Sequence, residues 1–432
     1  MNRFFRLDER GTTWRREAVA GTTTFATMAY IIVVNPKILE AAGMPFGPAM
    51  VATIVSAAFG TALMGVYANR PFAIAPYLGQ NAFVAFTVVQ GLGYSWQTAL
   101  GAIFIGGVLF ALLSLFHARA WLAAAIPETL KVAFAVGIGL FLAFIGLSTI
   151  GIVGPGSGGA PVQVGDFHDP GVLLAFAGFA AIVLLMWRGV PGALLIGILA
   201  TATAAFALGL SAPPEGWIAP PPDPGPTFLA LDVSGALTWG FLSVVLTIFV
   251  LDLVDTIGTL VGLGLKADLL DERGRLPGID RALRSDALAT VVGSLLGTTT
   301  CGTFIESAAG IEAGGRTGLA SVVTAAWFLA ALFFAPILSA VPAAAYGPAL
   351  VVVGMLMLEP VTRLRFDDLT ETAPAFLTIA LMTFTYDLGV GLTAGFASWV
   401  GLKVLTGRVD EVPAGMWVLG ALSALFYVLY PY

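Results

Sequence analysis

Asp252-Leu-Val-Asp255-Thr256 lies inside an apolar run that begins near Leu237 and continues past Gly262. A carboxylate in hydrocarbon costs several kcal/mol on insertion scales. Two carboxylates three residues apart share one face of a helix. Turned into a bundle, that face offers acids to a polar substrate, a proton or an ion. The stretch therefore reads as the working face of a membrane-spanning helix and points to a transporter.

The rest of the chain agrees with this class. Of its 432 residues, 58% are hydrophobic and 11% are Asp, Glu, Lys or Arg, against roughly 25% charged in soluble chains. Apolar stretches long enough to cross a hydrocarbon core recur along nearly its whole length, so a polytopic all-α membrane protein is expected. The 52 glycines and 25 prolines fit a bundle in which helices approach closely and break where protein groups satisfy the backbone. The N-terminal segment Met1-Asn-Arg-Phe-Phe-Arg-Leu-Asp-Glu-Arg10 reads as a charged arm without a cleavable signal peptide. A single cysteine, Cys301, excludes an intramolecular disulfide framework. No basic stripe suggests nucleic acid.

Expected spans are 17–35, 47–68, 75–92, 96–116, 127–150, 170–187, 190–211, 237–262, 285–298, 302–313, 317–340, 344–359, 371–385 and 387–406. A further apolar segment covers 413–431. Arg3, Arg6, Arg10, Arg15 and Arg16 precede the first span and place the N-terminus in the cytoplasm. Counting crossings puts Arg70, Arg119, Arg188, Lys266 through Arg284, Arg316, Arg363, Arg365, Lys403 and Arg408 on the same side. The opposite loops, Gly154–Pro161 and the proline-rich run Ser211–Pro226, are almost free of positive charge. The last segment breaks the parity, which requires either a re-entrant end or an earlier segment that does not cross.

A broken, glycine-rich stretch occurs in each half: Phe72-Ala-Ile-Ala-Pro-Tyr-Leu-Gly-Gln-Asn81 and Thr298-Thr-Thr-Cys-Gly-Thr-Phe-Ile-Glu306. Seven spans precede Leu237, so a second set of seven would be inverted relative to the first. Interrupted spans at matching positions point to a midplane binding site between repeats.

Asp252 and Asp255, extended by Thr256 and Thr259, form the first part of the polar constellation. Two close carboxylates in a poorly hydrated site cannot comfortably both remain ionised, which suits them to carry a proton. The alternative for either is a hydrogen-bonded helix staple. Glu306 forms the second part. A helix starting near Thr303 would leave backbone N–H groups open towards a ligand, and a buried Glu can accept two N–H donors from a flat heterocycle. Asn81 holds the comparable place in the first broken element. Asp286, at the start of its span, reads first as a helix cap.

The hydroxyls of Thr22, Thr23, Thr24 and Thr27 can bond to their own backbone, so they carry little weight as ligands. Phe25, Tyr30 and Phe304 could stack on a ring. Asp271, Glu272, Asp280, Asp367, Asp368 and Glu371 read as solvated loop charges, and Tyr386-Asp387 as an outer turn and no more.

No nucleophile and base pair suggests an enzyme. His117 and His168 are too far apart in the topology to share a metal, no other metal or cofactor site is expected, and no Walker-type GxxxxGK[ST] sequence is present. Gly258-Thr-Leu-Val-Gly262 has small-xxx-small spacing and reads as close packing.

Five stretches in order resemble bacterial and fungal adenine/guanine/hypoxanthine permeases, the purine branch of the nucleobase-cation symporter-2 superfamily. They are Gly21-Thr-Thr-Thr-Phe-Ala-Thr-Met-Ala-Tyr-Ile with Asn35-Pro36, Gly79-Gln-Asn-Ala-Phe83, Asp252-Leu-Val-Asp-Thr-Ile-Gly-Thr-Leu-Val-Gly262, Gly302-Thr-Phe-Ile-Glu-Ser-Ala-Ala-Gly310, and Pro374-Ala-Phe-Leu-Thr378 with Phe384-Thr-Tyr386. Asp387 departs from the Thr-Tyr-Ser pattern of that branch.

The resemblance implies about fourteen transmembrane segments in a seven-plus-seven inverted repeat, with short strands before the third and tenth spans. It implies a cytoplasmic arm (1–16), a core domain (17–116 and 237–340), a gate domain (117–211 and 341–432) and an outer proline-rich linker (212–236). Substrate binding falls to Glu306, Asp252, Asn81, Thr24, Phe25, Gly302, Thr303 and Phe304. Proton coupling falls to Asp255, Asp252 and Glu306, with Asp286 and Thr256 in support. The implied activity is proton-coupled import of a neutral purine nucleobase across the inner (cytoplasmic) membrane by a lipid-embedded homodimer joined through gate-domain contacts. The competing expectation is a uracil/xanthine transporter or an uncoupled facilitator of the same fold.

Overall fold

The structure, a computed structural model, describes residues 2–115, 125–238, 241–271, 276–364 and 366–430. His117, Arg119, Glu272 and Arg365 lie outside the described residues. In chain order the first half contains α1 (Asn2–Phe5), α2 (Trp14–Met28), α3 (Ile31–Ala41), α4 (Phe46–Val66), β1 (Ile74–Pro76), α5 (Leu78–Ala82), a π-helical segment (Phe83–Gly91), α6 (Trp96–Leu115), α7 (Glu128–Thr149), β2 (Val153–Pro155), β3 (Val162–Val164), α8 (Pro170–Trp187) and α9 (Ala193–Ala207). The second contains α10 (Val233–Ala236), α11 (Leu242–Lys266), α12 (Ile279–Leu296), β4 (Cys301–Thr303), α13 (Ser307–Glu312), α14 (Gly318–Ala331), α15 (Ala335–Ser339), α16 (Ala343–Leu356), α17 (Leu369–Phe384), α18 (Leu388–Leu405) and α19 (Ala414–Leu429). Nine helical stretches among the described residues are long and apolar enough to cross a membrane, and three shorter apolar helices accompany them.

Two packed groups of helices emerge. One joins α2, α4, α6, α11, α12 and α14 around the short strands; the other joins α7, α8, α9, α16, α17, α18 and α19. Glycine allows the closest crossings in both. A Cβ at Gly65 of α4 would stand 2.5 Å from the Gly318 carbonyl of α14, and one at Gly139 of α7 would stand 2.7 Å from the Gly354 carbonyl of α16.

The interrupted elements meet at the centre of the first group. β1 pairs antiparallel with β4, with Ile74 opposite Thr303, Ala75 opposite Gly302 and Pro76 opposite Cys301. A two-stranded ribbon inside an apolar bundle still needs partners for its outer edges, and two threonines supply them. Thr61 of α4 donates to the Ile74 carbonyl at 2.9 Å and accepts from its N–H at 2.9 Å. Thr290 of α12 does the same for Cys301, at 2.8 and 3.1 Å.

Several expectations are corrected. The first span is two helices, α2 and α3, interrupted at Ala29 and Tyr30. The span expected at 285–298 begins at Ile279, so Asp286 lies inside α12 and caps nothing. The helix expected from Thr303 begins at Ser307, because Cys301–Thr303 is committed to strand pairing. The outer loop after α7 folds into a hairpin of β2 and β3. The final segment, whose crossing the charge pattern leaves open, forms α19, which runs back along α18. Its Tyr427 and Tyr430 hydroxyls reach the start of α18, bonding to the Val390 carbonyl at 3.1 Å and Asp387 Oδ2 at 2.6 Å.

The Tyr386-Asp387 turn does more than reverse the chain. Asp387 accepts from the N–H groups of Gly389 and Val390 and caps α18. Tyr386 holds a left-handed backbone at φ 59°, strained for an aromatic residue. Its ring packs edge-on against Phe86 of the π-helical segment and against Phe141 and Phe144 of α7. The Tyr386 carbonyl accepts from Thr87 Oγ1 at 2.5 Å. This turn thus bolts the two helix groups together at one end.

Asp368 and Glu371 are likewise not free loop charges. Asp368 caps α17 and pairs with Arg408 at 2.6 Å. Glu371 accepts from Trp399 Nε1 and pairs at 2.9 Å with Lys403, whose side chain is 1% exposed. Glu411 closes the cluster on Lys403 and Arg408. The Arg408 guanidinium holds the Glu411 carboxyl down at about 2 and Asp368 below the usual carboxylate range, while both acids raise Arg408.

Glu17, buried on α2, was not singled out by sequence. Its carboxylate accepts from the N–H groups of Arg316, Thr317 and Ala320 at 2.9, 3.2 and 3.3 Å, closing the first turn of α14 from a neighbouring helix. Glu17→Ala is expected to cost about 1–3 kcal/mol by leaving those donors without an acceptor, read as a lowered Tm in detergent; an unchanged Tm contradicts it. The Arg408 cluster carries a pH prediction. Carboxyls depressed on folding stabilise above their unfolded pKa and lose that contribution only as pH falls through the folded value. Arg408→Gln should therefore lower the Tm by the same amount at pH 5 and pH 8, and a difference between the two pH values contradicts this.

Candidate functional site

The two strands, α12 and the middle of α11 converge on a buried polar hub. Asp252 of α11 is fully buried, and one turn on, the Thr256 hydroxyl lies 3.3 Å from Asp252 Oδ1 and 2.8 Å from Asp286 Oδ2. Asp286 also accepts from Thr303 Oγ1 of β4 at 3.3 Å. The Tyr77 hydroxyl, just past β1, donates to the Thr303 carbonyl at 3.3 Å and approaches Thr256 Oγ1 at 3.4 Å. Its ring stacks on Phe304, with centroids 5.9 Å apart and planes 11° off parallel. Gly302 makes this possible: any Cβ there would overlap the Tyr77 ring.

Glu306 stands at the end of α13 nearest this hub. Its Oε1 accepts from the Tyr30 hydroxyl at 2.6 Å, and its carbonyl from Thr27 Oγ1 at 3.3 Å. The interruption between α2 and α3 falls at Tyr30 and points its hydroxyl across the bundle. The N–H of Phe304 bonds to the Ala73 carbonyl, and those of Ser307, Ala308 and Ala309 close onto the carbonyls of Phe304, Ile305 and Glu306, so these four N–H groups are not open towards a ligand. Glu306 thus offers a carboxylate with one oxygen held by a phenol.

The structure brings together Asp252, Thr256, Asp286, Gly302, Thr303 and Phe304, with Asp255 half-buried one turn along α11. Thr24 and Phe25 serve α2 packing instead. Thr24 fills the space above Gly310, and Phe25 packs on Trp327 and Phe328 of α14. Thr22, Thr23 and Thr27 bond back to their own helix as expected. Asn81 donates to Asn35 Oδ1, and Asn35 in turn donates to Thr53 and Thr298 at 2.7 and 3.1 Å. That network ties α3, α4 and α5 to the segment before β4.

Tyr30 and Tyr77 carry the hub's phenols. In the sequence Tyr30 reads as a ring-stacking residue, and nothing but position marks Tyr77. The signal available for both was position: each sits at a break in an apolar helix, where a side chain can leave the helical face. The hub can accept hydrogen bonds from a flat heterocycle, present an aromatic surface to its ring, and shuttle a proton among carboxyls linked by hydroxyls.

Comparison with known proteins places this geometry. The solved transmembrane domain of the cyanobacterial bicarbonate transporter BicA shares the fold, with a TM-score of 0.66 over 88% of this chain and 96% of that one, at 18% identity. Murine Slc26a9, an anion transporter solved inward-facing, superposes with a TM-score of 0.66 over 91% of this chain and 68% of that one, at 11% identity. The adenine permease AdeQ of Escherichia coli K12 is 40% identical over 429 residues, covering 99% of this chain and 96% of its own. The guanine/hypoxanthine permease PbuO of Bacillus subtilis is 41% identical over 415 residues, covering 94% and 96%. Residues 15–397 match the family labelled Xan_ur_permease and described as "Permease family". A multi-pass bundle with two interrupted elements crossing at a buried acid hub, matched over nearly its full length, belongs to that permease family, in its purine branch.

Proposed function

We propose that this permease imports neutral purine nucleobases, such as hypoxanthine, guanine or adenine, in symport with protons. The observation that carries the reading is the hub itself: Glu306 on its tyrosine, the Tyr77–Phe304 stack and the Asp252–Thr256–Asp286 chain meet where two interrupted elements cross. An uncharged planar base needs matched hydrogen bonds and a ring surface more than charge compensation. The names of the relatives, an adenine permease and a guanine/hypoxanthine permease, agree with this substrate class.

In this reading Glu306 receives ring N–H groups, and Asp252 and Asp255 carry the proton that favours the loaded state. Asn81 tunes the strand junction, and Thr256 and Asp286 support the pair. The α2–α6 and α11–α14 helices form a core (17–116 and 237–340) that moves against a gate (117–211 and 341–432), with the 212–236 linker outside and the 1–16 arm in the cytoplasm. Two inverted repeats of seven are supported by matched neighbours. Thr61 serves β1 as Thr290 serves β4, and α4 packs on α14 as α12 packs on α6. Two copies pair through the gate in the inner membrane. A uracil or xanthine carrier is the competing reading, favoured by the family's label.

Uptake of labelled hypoxanthine into cells expressing the chain is expected to collapse with a protonophore and to be indifferent to sodium. Competition by adenine or guanine, and none by uracil, separates the two readings. Glu306→Gln should lower uptake at least ~10-fold, since a carboxylate acceptor becomes in part a donor facing a donor. Full uptake by that variant removes Glu306 from base recognition.

A further inference from the structure

Among the described residues beside the hub, Gln80 is a buried amide whose hydrogen-bonding edge is not satisfied by any well-formed bond. It is 1% exposed, yet neither Oε1 nor Nε2 makes a hydrogen bond of ordinary geometry; its one polar contact is a poorly formed one with the Asp255 carboxyl. A buried amide left in that state has lost its water without replacement, so native proteins keep one where something else completes it. Its neighbour Asn81 shows the contrast, with its amide nitrogen committed to Asn35.

Position adds a second, independent argument. Gln80 lies on α5 directly after β1, and its amide faces the Asp255 carboxyl of α11. The preceding residue, Gly79, lies so close to α7 that a Cβ would stand 2.5 Å from Ile138. Gln80 is therefore held at the seam between the two helix groups, beside the acid that α11 turns towards it.

We propose that Gln80 recognises substrate directly, its primary amide pairing with the N1/C6 edge of the purine. This rests on the purine reading above and extends it to the part of the ring that differs between the candidate bases. An amide has a donor and an acceptor side by side. It can accept from N1–H and donate to O6 of a 6-oxopurine, or, turned over, accept from N6–H and donate to N1 of adenine. A carboxylate, which only accepts, cannot pair with both. Gln80 thus lets one pocket take 6-oxo and 6-amino bases, while Glu306 holds the rest of the ring.

The test pairs a change in the residue with a change in the ligand edge. Inhibition of labelled hypoxanthine uptake is measured for hypoxanthine and 1-methylhypoxanthine, in the unaltered chain and in Gln80→Met, which keeps the side chain's length without its polar atoms. The unaltered chain should prefer the unmethylated base by at least ~10-fold, and Gln80→Met should lose most of that preference. Because the readout is a ratio, a general loss of folded transporter leaves it unmoved.

Gln80→Glu serves if the methionine variant does not fold; it should shift inhibition towards guanine, which donates from both N1 and N2, and away from adenine. A ratio unchanged from the unaltered chain in whichever variant transports overturns the proposal, leaving Gln80 as an amide completed by water. If the unaltered chain takes up no purine at all, the purine reading fails and this assignment falls with it.

Discussion

A pair of three-residue strands buried in an apolar bundle is the constraint on which the rest of this structure depends. Extended backbone cannot satisfy its own polar groups, and lipid offers no partners. The chain meets the demand by pairing β1 with β4 and closing the outer edges with Thr61 and Thr290. Each half supplies one strand and one threonine, so neither half can build its centre alone. The helices α4 and α12 are held against the ribbon by the same bonds, and the hub is assembled at that junction.

The hub follows from where the ribbon ends. Past β1 the chain releases Tyr77; past β4 it releases Phe304 and Glu306, and Gly302 lets the Tyr77 ring lie across the strand. Asp252, Thr256 and Asp286 then approach from α11 and α12, joined by hydroxyls at hydrogen-bond distance. The second helix group meets this centre at Gly79 and Ile138 on one side and at Tyr386 on another. Motion of one group against the other would have to break the Tyr386 contacts, where backbone strain is already stored.

Much of this was legible in the sequence because it depends on local composition. Spans follow from apolar length, the interruptions from glycine and proline, and Asp252, Asp255 and Glu306 stand out because charge is rare in hydrocarbon. Asp286 reads as a helix start because its helix begins with Ile279-Asp-Arg-Ala-Leu-Arg284, polar enough to resemble loop. Asp368, Glu371 and Tyr386 read locally as surface turn residues. Their partners, Arg408, Lys403 and Phe141, lie 40, 32 and 245 residues away in the chain, and no local pattern announces such pairings.

The sequence by itself determined the membrane class, the two interrupted elements and the acids that cannot face lipid, since each is a matter of the energy of transferring a short segment into hydrocarbon. Only the tertiary structure decided that Tyr30 holds Glu306, that Thr256 links Asp252 to Asp286, that Asn81 is spent on Asn35, and that Gln80 is left without a well-formed hydrogen bond. These are questions of which buried polar group finds which partner. The answer depends on how separate helices cross, and the direction a side chain takes from a broken helix is fixed only by what it meets.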